Sequence, residues 1–147
     1  MEVHRIRVPV SGTPAGAVSA RRRIAEEMRT WGAGLGPELL NSAEVVASEL
    51  ITNALRHARG GPITAGVELN GKALRIAVTD TGFAIPEVGL PDTEAESGRG
   101  LFLVAALADR HGCDPLPSGK RCWAEFEYMT PQPCPPQHTC PSRGVDC

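Results

Sequence analysis

Residues 48–58 read Ser48-Glu49-Leu50-Ile51-Thr52-Asn53-Ala54-Leu55-Arg56-His57-Ala58, SELITNALRHA. Apolar residues recur here at three- and four-residue spacing, the period of an amphipathic helix. Glu49, Asn53 and His57 form a second series at four-residue intervals. At about 100° per residue, with Glu49 at 0°, Asn53 lies near 40° and His57 near 80°. Leu39, Leu40, Ala43, Val46, Ala47, Leu50 and Ala54 fall between about 60° and 180°, and Ile51 and Leu55 widen the stripe to about 240°. One sector therefore changes character along the helix. Its first half holds Leu39 and Val46; its second half holds Asn53 and His57. A buried polar group without a partner costs about 1–3 kcal/mol, so a polar ligand or ion beneath the last two turns would account for the change. A solvated helix edge, with His57 favoured near the helix C-terminus by the dipole, accounts for the spacing as well.

Working outward, this helix is expected from about Pro37 to Ala58, stopped by Gly60-Gly61-Pro62. Before it, Thr13-Pro14 offers an N-cap and a first-turn proline for a helix over 14–31, with Val18, Ala25, Met28 and Trp31 near one face. Residues 3–10 alternate charged and apolar side chains, the pattern of an edge strand. Residues 63–70 and 73–80 read as strands joined at Asn70-Gly71, a hairpin signal. A loop with Glu87, Asp92, Glu94 and Glu96 covers 81–98. A helix is expected over 99–111 with Gly112 as its stop, and a last strand over 121–129. The order β-α-α-β-β-loop-α-β predicts an α+β two-layer sandwich: a mixed, mostly antiparallel sheet with helices on one face. Residues 1–129 make one domain; the proline-rich tail, 130–147, reads as disordered.

The chain of 147 residues carries a net charge of −2, which gives no basic excess for direct nucleic-acid binding. Its longest apolar run, Leu101–Ala108, has eight residues, against the roughly 18 that a membrane span needs. No secretory apolar block opens the sequence. A cytoplasmic protein without membrane contact is expected, and the five cysteines are read as thiols.

Two further elements carry chemistry. In Ala73–Asp80, ALRIAVTD, the residues Leu74, Ile76, Val78 and Asp80 share one face, so a carboxylate ends an apolar row. With Gly82 after it, Asp80 suits an amino group on a flat ligand; a turn-capping aspartate fits the same letters. Ser97–Leu101, SGRGL, precedes an apolar helix. Glycines there would let backbone N–H groups approach a phosphate, although a flexible loop start reads the same way. No Walker-type phosphate loop and no zinc-spaced His/Cys cluster is present.

The ordered set resembles the GHKL (histidine kinase-like) ATPase superfamily, and within it the single-domain anti-sigma-factor serine/threonine kinases of the actinobacterial regulatory type. ELITNALRHA is similar to the asparagine box, VTDTGFAIP to the first glycine box, GRGLFLVAALADRHG to the second and GKRCWAEFEY to the closing strand. The resemblance spans about residues 1–129 and implies ATP and Mg²⁺ as cofactors. It implies Asn53 as the Mg²⁺ ligand and Glu49 as general base for an attacking hydroxyl. Asp80 would accept from the adenine amino group with Gly82 giving the ring room. Gly98, Arg99, Gly100 and Leu101 would hold phosphates, and His57 lies one turn past Asn53. The implied function is a protein kinase that sequesters a sigma factor and phosphorylates an antagonist, with room for a homodimer. A nucleotide-binding module that sequesters a partner without catalysis is the alternative. Ala84 stands where the family's first box often has its second glycine.

Overall fold

The computed structural model describes residues 3–32, 35–57, 60–82 and 96–128, the last from residue 101 onward with side chains. The order of elements is β1 (His4–Val10), α1 (Pro14–Trp31), α2 (Pro37–His57), β2 (Ile63–Leu69), β3 (Ala73–Asp80), α3 (Glu96–Leu107), β4 (Arg110–Leu116) and β5 (Gly119–Glu127). The strands form one sheet in the order β1-β2-β3-β5-β4, with every pairing antiparallel. Helices pack on one face, with α2 touching both α1 and α3 as well as the sheet. This is the expected two-layer sandwich.

Local chemistry explains most boundaries. The Thr13 side chain accepts from Gly16 N at 3.0 Å and Pro14 opens α1; Gly32, at φ 66°, closes it. The buried face of α1 is Ala17, Ala20, Ile24, Ala25, Met28 and Trp31, while Val18 turns out to be exposed. The hairpin forms, shifted by one residue from the expected centre. Asn70 N bonds Ala73 O at 3.1 Å, so the turn centres on Gly71-Lys72. Asn70 acts through its side chain instead, its Oδ1 accepting from Lys72 N and Ala73 N.

Three expectations need correction. The third helix ends at Leu107, not near His111, and Arg110–Leu116 is a strand. This segment, RHGCDPL, alternates too little to announce itself; it is an edge strand made by pairing with β5. Gly112 is therefore no helix stop. It lies opposite Trp123, where an added Cβ would come within 2.9 Å of the indole. Cys113 and Cys122 are not free thiols: they are register partners across β4–β5 and form a disulfide. The tail and Ala84 lie outside the described residues.

Among the described residues no helix is long and apolar enough to cross a membrane. The core joins Val8, Ile24, Met28, Val46, Leu50 and Ile51 to Leu74, Ile76, Val78, Ala124 and Phe126. The sheet supplies its face at period two and the helices theirs at 3.6. Among the described residues, the polar ones buried in that core are Asn53, Asp80 and Lys120. They mark the candidate site.

Candidate functional site

Asn53 lies in the buried stripe of α2 and is 3% exposed. Neither its Oδ1 nor its Nδ2 has a hydrogen-bond partner among the described residues. This excludes the solvated helix edge for Asn53: the row of the opening segment does turn inward. His57, one turn later, is half-buried, and its Nδ1 donates to Asn53 O at 2.9 Å. That bond fixes the ring and, in the neutral tautomer, leaves the Nε2 lone pair for another partner.

Glu49, one turn before Asn53 on the same helix, lies nearer the surface. It is half-buried and lines a groove of about 600 Å³ between α1 and α2, together with Arg21, Arg22, Glu26, Arg29 and Ser48. Arg21 Nη1 bonds Ser48 Oγ at 2.8 Å on the groove wall. Helix geometry thus sets the two groups one turn apart, Asn53 in the core and Glu49 at the edge of an open groove.

Asp80 ends β3 on its core face and is 3% exposed. Its Oδ1 accepts from Gly82 N at 2.7 Å and from Lys120 Nζ at 3.0 Å. Asp80 and Lys120 are register partners across β3–β5. The turn-capping role and a buried charge role therefore coexist on one oxygen. Gly82 is required sterically: a Cβ there would lie 2.2 Å from His57 O and 3.2 Å from Asp80 Oδ1. It lets the end of β3 pass close under the end of α2, which brings the asparagine helix and the aspartate strand together.

Gly119 does the same for β5, since a Cβ there would lie 1.9 Å from Asp80 O. Gly119→Ala is expected to cost about 1–3 kcal/mol, the usual range for overpacking. A denaturant titration with an unchanged midpoint would refute this.

Gly98, Arg99 and Gly100 fall in the first turns of α3, with backbone alone described there. The first four N–H groups of a helix have no intrahelical acceptor. Those of Gly98 and Arg99 belong to that set, a donor arrangement suited to an anion. Leu101, in contrast, is 5% exposed and packs in the core.

The sequence reading missed Lys120. Its signal was available, because Lys120, Cys122, Ala124 and Phe126 alternate on one face, so an ammonium ends an apolar row just as Asp80 does. Among the described residues, no group of three His, Cys, Asp or Glu side chains could hold a metal ion. A magnesium ion would need little protein here, since Mg²⁺ keeps several waters and takes phosphate oxygens. The orphaned carboxamide of Asn53 fits one such contact.

A model of the histidine kinase-like ATPase domain matches residues 10–123. The chain belongs to the histidine kinase-like ATPase family. The matched stretch runs from the end of β1 into β5 and includes Glu49, Asn53, His57, Asp80, Gly82, Gly98, Arg99, Gly100, Leu101 and Lys120. A search of curated proteins gives no match. Domains of this family bind ATP, usually with Mg²⁺. An ATP-binding histidine kinase-like domain also suits the chemistry of the site: a buried amide with no partner among the described residues and a buried carboxylate whose hydrogen bonds, among the described residues, all fall on Oδ1.

Proposed function

We propose that this protein is an ATP-dependent protein serine/threonine kinase of the anti-sigma-factor type, working with Mg²⁺ in the cytoplasm. It would sequester a sigma factor and phosphorylate a serine on an antagonist protein. The observation that carries the ATP site is the buried carboxamide of Asn53, which has no partner among the described residues. Bound ATP and Mg²⁺ supply the transferable γ-phosphoryl group and the charge that neutralises it. The chain's residues do the rest. Asn53 Oδ1 offers a neutral oxygen to the metal. Asp80 Oδ2 accepts from the adenine amino group while Oδ1 stays held by Gly82 N and Lys120 Nζ. The Gly98 and Arg99 amides donate to phosphate oxygens, and the Glu49 carboxylate accepts the serine hydroxyl proton.

Glu49 favours catalysis over simple sequestration, because a binding module has no use for a base one turn before the metal ligand. The deciding experiment incubates the protein with labelled ATP, Mg²⁺ and serine-bearing antagonist candidates, read by phosphoprotein mass. A mass gain of one phosphate on the antagonist supports the kinase. ATP-independent partner binding with no transfer would leave the sequestering module instead.

The adenine assignment has its own test. Asp80→Asn is expected to weaken ATP binding by roughly ten- to a hundredfold, since a hydrogen bond to a charged acceptor is worth about 1.5–3 kcal/mol. It also strands the Lys120 ammonium in the core, so melting temperature should fall. Adding Lys120→Met removes the stranded charge and should recover stability without recovering ATP affinity. Calorimetry showing wild-type ATP affinity in folded Asp80→Asn would sink the assignment.

A further inference from the structure

Lys120 carries chemistry that the roles above do not use. It is 0% exposed, and lysine is almost never fully buried unless paired. An ammonium has three N–H donors. One meets Asp80 Oδ1 at 3.0 Å, and no second acceptor among the described residues meets Nζ. Gly82 N donates to that same oxygen, so the lone pairs of Asp80 Oδ2 remain for another donor. Stability alone gives little reason for the pair, since replacing a buried ion pair with apolar residues is often neutral or stabilising. At the junction of β3 and β5 an acceptor and a donor therefore lie side by side, each incompletely satisfied among the described residues.

A ligand completes both groups at once if it carries an N–H donor next to a lone-pair acceptor. The amino group of adenine, flanked by ring nitrogens, has that pattern. We propose that Lys120 is a base-specificity residue, its Nζ donating to a ring nitrogen beside the amino group that Asp80 Oδ2 accepts from. The inference rests on the reading of this site as an ATP site. It makes recognition of the base a two-point contact, with the register of β3 and β5 holding the two points together.

The test is calorimetry on the full chain with ATP, 1-deaza-ATP and 7-deaza-ATP, each analogue having C–H in place of one ring nitrogen near the amino group. Wild-type protein is expected to bind one of the two analogues about ten- to a hundredfold more weakly than ATP, the worth of one charge-assisted hydrogen bond. Lys120→Met should lose a similar factor for ATP and no longer distinguish ATP from that analogue. Lys120→Arg, which keeps a donor, should regain part of the discrimination. Equal affinity of wild-type protein for all three ligands overturns the inference and leaves the Asp80 contact standing. So does a Lys120→Met protein that still discriminates. If Lys120→Met does not fold, the wild-type comparison decides alone. If no adenine nucleotide binds wild-type protein, the ATP reading falls and this inference falls with it.

Discussion

Asn53→Ala is expected to abolish phosphotransfer and the Mg²⁺-dependent part of ATP affinity while leaving the melting temperature unchanged or slightly higher. The second half of that expectation distinguishes a ligand-binding asparagine from a structural one. A structural asparagine in a core holds its neighbours by hydrogen bonds, and truncating it costs stability. Here both polar atoms of the side chain are buried and lack partners among the described residues. Each such atom costs about 1–3 kcal/mol while unsatisfied, so alanine relieves a penalty that offsets the lost packing. Kinetic assay beside thermal denaturation checks the pair of outcomes. Transfer at the wild-type rate would place the metal elsewhere. A fall of many degrees in melting temperature would show that Asn53 serves the fold.

Glu49→Gln is expected to slow phosphotransfer at least about a hundredfold, the lower end of what a general base contributes. ATP affinity and partner affinity should stay near wild type, because glutamine keeps the shape and removes only the basic oxygen. The side chain opens onto the groove between α1 and α2, where a protein substrate can approach it, whereas Asn53 points into the core. Single-turnover rates with saturating ATP and antagonist are the measurement. Equal rates would keep the kinase and remove Glu49 as its base. Absence of transfer by the wild-type protein to every serine-bearing antagonist would remove the kinase itself.

What the sequence determined by itself is everything that depends on period and punctuation. The 3.6-residue stripe in 37–57 set Asn53 in the sector that begins with Leu39 and Val46, leaving open whether it met solvent or a ligand, and period two in 73–80 placed Asp80 at the end of an apolar row. Thr13-Pro14 started α1 where expected, and the hairpin signal located the β2–β3 reversal to within one residue. These are local rules, and each acts within a few residues of its cause.

The rest was decided by tertiary structure. Arg110–Leu116 has no strand pattern of its own and becomes β4 because β5 offers an open edge. That pairing sets Cys113 opposite Cys122, two residues that composition alone left as thiols. Periodicity could put Asp80 and Lys120 each on an apolar face, but only the β3–β5 register puts them opposite one another. The sequence offers Gly82 only as the companion of Asp80 and gives Gly119 no signal, whereas in the fold the carbonyls of His57 and Asp80 stand where their Cβ atoms would be. These strand partners and close backbone approaches join residues from 9 (Cys113 and Cys122) to 40 (Asp80 and Lys120) positions apart, and no local propensity fixes which residues meet. The position of the site's amide was legible in one helix but its burial was not, and its charge pair exists only because two strands meet.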